Sequence, residues 1–75
     1  MYNGDMLIHI DEALDDDQIH ELERSVSLES GVLSACFHER TRHLMVVDFD
    51  ANSTRPSDVL RMVRGRGLNA EMVGL

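Results

Sequence analysis

The chain has 75 residues, 43% apolar and 28% charged, with a formal net charge of −7 and one cysteine. That length allows a single domain, residues 1–75, with a small core, and the apolar runs are too short and too interrupted to span a bilayer. The start "MYNGDMLIHI" has neither the basic opening nor the cleavage site of a signal peptide, so a cytoplasmic location is expected, and the lone Cys36 excludes an internal disulfide.

In chain order, "MLIHI" sets Ile8 and Ile10 against Leu7 and His9, the alternation of a strand covered on one face. From Asp16 onward Ile19, Leu22 and Val26 recur every three or four residues, one stripe of an amphipathic helix that Gly31 is expected to end. "VLSACFHE" alternates Ala35 and Phe37 against Ser34, Cys36 and His38. After "RTR", "HLMVVDF" alternates Met45, Val47 and Phe49 against Leu44, Val46 and Asp48, and the two runs read as a hairpin flanked by exposed His38 and His43. "DANSTRPS" is a loop, with Pro56 in the first turn of the next helix and Thr54 or Ser57 as its cap. Val59, Met62 and Val63 form that helix's buried stripe, Gly65 and Gly67 stop it, and "NAEMV" supplies the last strand.

The order strand, helix, strand, strand, helix, strand fits an α+β ferredoxin-like βαββαβ sandwich: an antiparallel four-stranded sheet, in the order 4-1-3-2, with both helices on one face. The other face would then carry Leu7, His9, Ser34, Cys36, His38, Leu44 and Val46 with nothing over it.

The runs "LESGVLSACF" and "VVDFD" and the helix ending "RGRGLNAEMV" resemble the heavy-metal-associated domains of copper chaperones and metal-transporting ATPases. Gly31, Val32, Phe49, Asp50 and Gly67 match that pattern, whereas Leu68 stands where tyrosine is usual. The resemblance implies a soft-metal site of the form Met-x-Cys-x-x-Cys at the first strand-to-helix joint. Counting back from Gly31, Ala13 falls at the methionine and Asp15 and Gln18 at the cysteines, so all three expected ligands are missing. Asp15-x-x-Gln18 reads instead as a helix capping box.

Charge is unevenly spread: residues 1–30 carry −8 and residues 31–75 carry +1. Nucleic acid is excluded as a partner, because phosphate binding needs a concentrated basic surface, and a basic protein partner is favoured. Other ligand candidates are His9, Cys36 and His38, but His9 should lie two strands from Cys36, roughly 9–10 Å away, too far to share an ion within one molecule. Cys36 reads as a partly buried hydrophobe, and His20 as a solvated residue on the first helix. No phosphate loop, serine elbow or zinc-hydrolase motif is present. The sequence thus points to a non-enzymatic interaction module with no cofactor, docking a protein partner or a second copy through Leu7, Cys36, Leu44 and Val46. The alternative is a metal-binding or metal-sensing protein that uses Cys36 and histidines, across a dimer.

Overall fold

The computed structural model describes residues 3–73, in the order β1 (Asn3–Ile10), α1 (Asp16–Ser27), β2 (Val32–Phe37), β3 (Leu44–Asp50), α2 (Pro56–Arg64) and β4 (Ala70–Met72). All strand pairs are antiparallel, and the sheet order is β2-β3-β1-β4, the ferredoxin-like arrangement that the element order implied. Right-handed crossovers through α1 and α2 place β1 and β3 at the centre and leave β2 and β4 as edges. Among the described residues, no helix is long and apolar enough to cross a membrane.

Strand alternation separates the two faces. Met6, Ile8 and Ile10 of β1, Ala35 of β2, Met45, Val47 and Phe49 of β3 and Ala70 of β4 turn inward and form one cluster with Leu22 and Val26 of α1 and Val59, Leu60 and Val63 of α2. Ile8, Ile10, Val26, Met45, Val47, Val59 and Val63 are sealed from water, each contributing about 1.5–3 kcal/mol by burial. In α2 the buried stripe is Val59, Leu60 and Val63 rather than Val59, Met62 and Val63, with Met62 half-buried at its margin. Such a short helix between a sheet and α1 buries a broader arc than a single stripe.

Two further expectations are corrected at the helix ends. Neither Thr54 nor Ser57 caps α2: Arg55 is the N-cap, with no side-chain bond, and Pro56 fills the first helical position, where its missing N–H costs nothing. Helix α1 ends at Ser27, before Gly31, with Leu28 as its C-cap. Gly31 turns the chain into β2 instead, at φ 87°, where a Cβ would sit 2.9 Å from Thr54 Cβ. Its carbonyl accepts from Asp50 N–H at 2.8 Å, and Asp50 closes the next turn by accepting from Asn52 N–H (3.0 Å) and Ser53 Oγ (3.1 Å). At the same end of the sheet, the Phe49 ring lies over Gly4 of β1 so closely that an added Cβ would meet the ring at 2.7 Å.

Replacing Gly31 with alanine should destabilise the domain by about 1–2 kcal/mol for the left-handed backbone alone, with the Thr54 contact adding to it. Urea denaturation checks this, and an unchanged midpoint would remove Gly31 from the structural account.

Candidate functional site

The joint between β1 and α1 is built almost entirely from acids, and nearly every one has a partner. Asp15 is the N-cap: its Oδ1 accepts from Gln18 N–H at 2.8 Å, while Gln18 Oε1 accepts from Asp15 N–H at 3.0 Å, closing a reciprocal capping box. Asp16 pairs with Arg42 of the β2–β3 hairpin. Glu12 accepts from Asn69 N–H at 2.9 Å and from Asn69 Nδ2 at 2.9 Å, which ties the joint to the segment before β4. Those bonds, the backbone N–H foremost, hold the Glu12 carboxyl below its ordinary value. Asp16 and Asp17 also face the positive end of the α1 dipole. Asp15 and Gln18, two of the three positions that the sequence resemblance set against a metal loop, therefore start the helix with both side chains engaged with backbone, and Ala13 is exposed just before the cap.

The uncovered sheet face is organised in rows, because paired residues on adjacent strands point the same way. Cys36 of β2 pairs with Val46 of β3, which pairs with Leu7 of β1; Val73, just beyond β4, donates its N–H to the Leu7 carbonyl at 3.0 Å. The result is an apolar row across the full width of the sheet. Leu7, Leu44 and Val46 are half-buried by their neighbours, Cys36 is exposed rather than partly buried, and Val73 is 37% exposed. The sequence reading missed Val73, because its place depends on the β1–β4 register.

On one side of that row Asp5 and Asp48 face each other across β1 and β3, and Ser34 Oγ donates to Asp48 Oδ2 at 2.8 Å. Like charges directly opposite repel, so the pair binds one proton more readily than a lone carboxyl does. Hydrogen bonding to Asp48, then repulsion from it, raises the Asp5 carboxyl; the bonds that Asp48 receives from Asp5 and Ser34 lower its own.

On the other side lie His9, Leu44 and Glu71, which pair across β1, β3 and β4, and His38, whose N–H donates to the Leu44 carbonyl at 2.9 Å. Strand β3 separates His9 from Cys36 and His38, so these three candidates are not brought together. His43 is half-buried, not an exposed flanking residue: its Nδ1 donates to the Ile10 carbonyl at 2.6 Å, and its ring stacks on His9 with centroids 5.7 Å apart. His20 is exposed, with Nδ1 3.2 Å from Glu23 Oε1.

No protein-family model matches the chain, and no curated protein matches it. Among solved structures, it is similar to a copper binding domain from HMA7, a P-type ATPase (TM-score 0.82, 17% identity, covering 93% of each chain). It is also similar to the copper chaperone of Enterococcus hirae in its apo form (TM-score 0.79, 18% identity, covering 91% of this chain and 98% of that one). The fold is therefore that of copper-binding heavy-metal-associated domains, as the packing residues suggested.

Two outcomes test this geometry. Asp15→Ala should cost about 0.5–2 kcal/mol in chemical denaturation, the range for a lost N-cap, and an unchanged midpoint would disprove the cap. For the carboxylate pair, the raised Asp5 contributes stability below its unfolded pKa and loses it as pH rises through its folded value; the lowered Asp48 contributes above its unfolded pKa and loses that as pH falls. Asp5→Asn keeps a donor beside Asp48 at every pH, so its melting temperature should exceed wild type at pH 7 and converge with it as the pH falls and wild type binds the proton. A variant less stable at pH 7 would mean that no repulsion acts there.

Proposed function

We propose that this chain is a non-enzymatic protein-interaction domain on a copper-domain scaffold, in which Asp15-x-x-Gln18 replaces the metal-gripping Cys-x-x-Cys and the open sheet face docks a basic protein in the cytoplasm. The observation that carries this reading is the row Cys36, Val46, Leu7 and Val73, with the carboxylates of Asp5 and Asp48 along one side and Glu71 on the other. An apolar centre with an acidic margin fits a partner that presents apolar side chains inside a cationic rim. The net charge of −7 adds long-range attraction for such a partner and repulsion between two copies of the chain. Edge strand β2, which also exposes Leu33 beside the irregular pairing between Val32 and Ser34, gives the partner a strand edge to lie against.

The copper-binding proteins of similar fold carry their activity in their names; the transfer of that activity to this chain is opposed by the composition of the loop. Soft Cu(I) selects thiolates, and the loop offers a carboxylate and an amide already bonded to backbone.

A basic amphipathic peptide alternating lysine and leucine, titrated into the labelled protein, should shift the amides of Leu7, Cys36, Leu44 and Val46. Val46→Glu should weaken that binding by about tenfold or more, matching the loss of a central apolar contact, and added salt should weaken it further. Shifts confined to the α1 acids would overturn the face assignment. In sedimentation, wild type should remain monomeric; a dimer dissolved by Val46→Glu would give the face to a second copy instead. Cu(I) in slight excess should leave the amides of residues 13–18 unmoved, and saturable shifts there would restore the loop as a metal site.

A further inference from the structure

We infer that His9, Asp11 and Glu71 form a binding site for a borderline divalent cation of the zinc class, away from the joint of Asp15 and Gln18. Each of the three offers one ligand atom, and these atoms all lie within 4.8 Å of one another. The topology brings them together. Residues His9 and Asp11 flank Ile10 at the end of β1, and the β1–β4 register sets Glu71 directly opposite His9. The signal was hidden in the sequence because 60 residues separate the two strands' contributions, and only the pairing of β4 with β1 closes that distance.

The imidazole supplies the second observation. His9 Nδ1 is closed to water and has no hydrogen-bond partner, although it lies 3.1 Å from Asp11 Oδ1: the separation suits a hydrogen bond but the direction does not. Leaving such an atom unpaired is costly. Two ligand atoms 3.1 Å apart, each about 2.1 Å from one ion, subtend an angle of about 95°, within the range that zinc and its neighbours accept. An ion between them would give Nδ1 the partner that it lacks.

The surroundings fix the imidazole and leave the carboxylates free. His43 stacks on His9 and is itself anchored by the Ile10 carbonyl, so the His9 ring is held in place from one side. Asp11 and Glu71 are exposed, and each can swing the ångström or so that separates 4.8 Å from a coordination sphere. Arg64 lines the same hollow as Asp11 and Glu71, and its Nε donates to the Ala70 carbonyl at 2.8 Å. Among the described residues, Glu71 has no ion-pair partner, and Asp11 has only His9. One nitrogen and two carboxylates, with no thiolate, favour Zn²⁺ over Cu(I), so the ion differs in class from that of the copper-binding structures.

The test is a titration of the protein with zinc chloride, followed through the imidazole nitrogens of His9 and the amides of His9, Asp11 and Glu71. Saturable one-to-one binding with a shift of the His9 ring nitrogens is expected. Glu71→Gln, on an exposed edge, should leave the metal-free melting temperature unchanged and weaken zinc by about tenfold or more. Cys36→Ser should bind as wild type does. Non-saturating shifts scattered over the α1 acids, equal affinity in Glu71→Gln, or loss of binding in Cys36→Ser would each overturn the site.

Discussion

Two helices can cover only one face of a four-stranded sheet, and the rest of this molecule follows from that restriction. The strands alternate, so burying Ile8, Ile10, Met45 and Val47 under α1 and α2 compels Leu7, His9, Leu44 and Val46 to the other side. A register slip by one residue would exchange the two sets, which is why pairing between β1 and β3 is held so firmly by the size of the inward residues. The same restriction orders the open face: an acidic row, an apolar row and a histidine row, each one residue pair deep.

The first strand-to-helix joint is held by its own polar side chains. A helix start always leaves N–H groups without intrahelical partners, and a carboxylate can satisfy them as an N-cap. Here Asp15 and Gln18 do so for each other, while Glu12 and Asp16 reach to Asn69 and Arg42. These bonds fasten α1, the hairpin and the segment before β4 around one corner. Of the acids that give the N-terminal half its charge of −8, Glu12, Asp15 and Asp16 are engaged at this corner, while Asp17, Glu21 and Glu29 stay exposed on and just after α1.

The two functional readings occupy neighbouring parts of that face without sharing a residue at their centres. The proposed docking rests on Cys36, Val46, Leu7 and Val73, and the inferred cation site on His9, Asp11 and Glu71. Glu71 contributes to the acidic margin of the first and to the ligand set of the second. A bound divalent ion would reduce the negative potential along that margin, so the two sites are coupled through charge rather than contact.

The sequence by itself determined the element order, the sheet order, the inward residues Ile8, Ile10, Ala35, Met45, Val47 and Phe49 and the cap at Asp15, because each rests on local periodicity, on crossover rules or on bonds between residues three apart. The packing positions Gly31, Phe49 and Asp50 were also legible, although Gly31 proved to turn the chain into β2 rather than end α1. What only the tertiary structure decided were relations between distant strands. Leu60 joined the core, His43 folded against Ile10 and His9, Val73 completed the apolar row, and Glu71 met His9 and Asp11. Alternation tells which face a side chain takes, but its neighbours on that face are set by strand register, which is fixed by the simultaneous packing of the whole core.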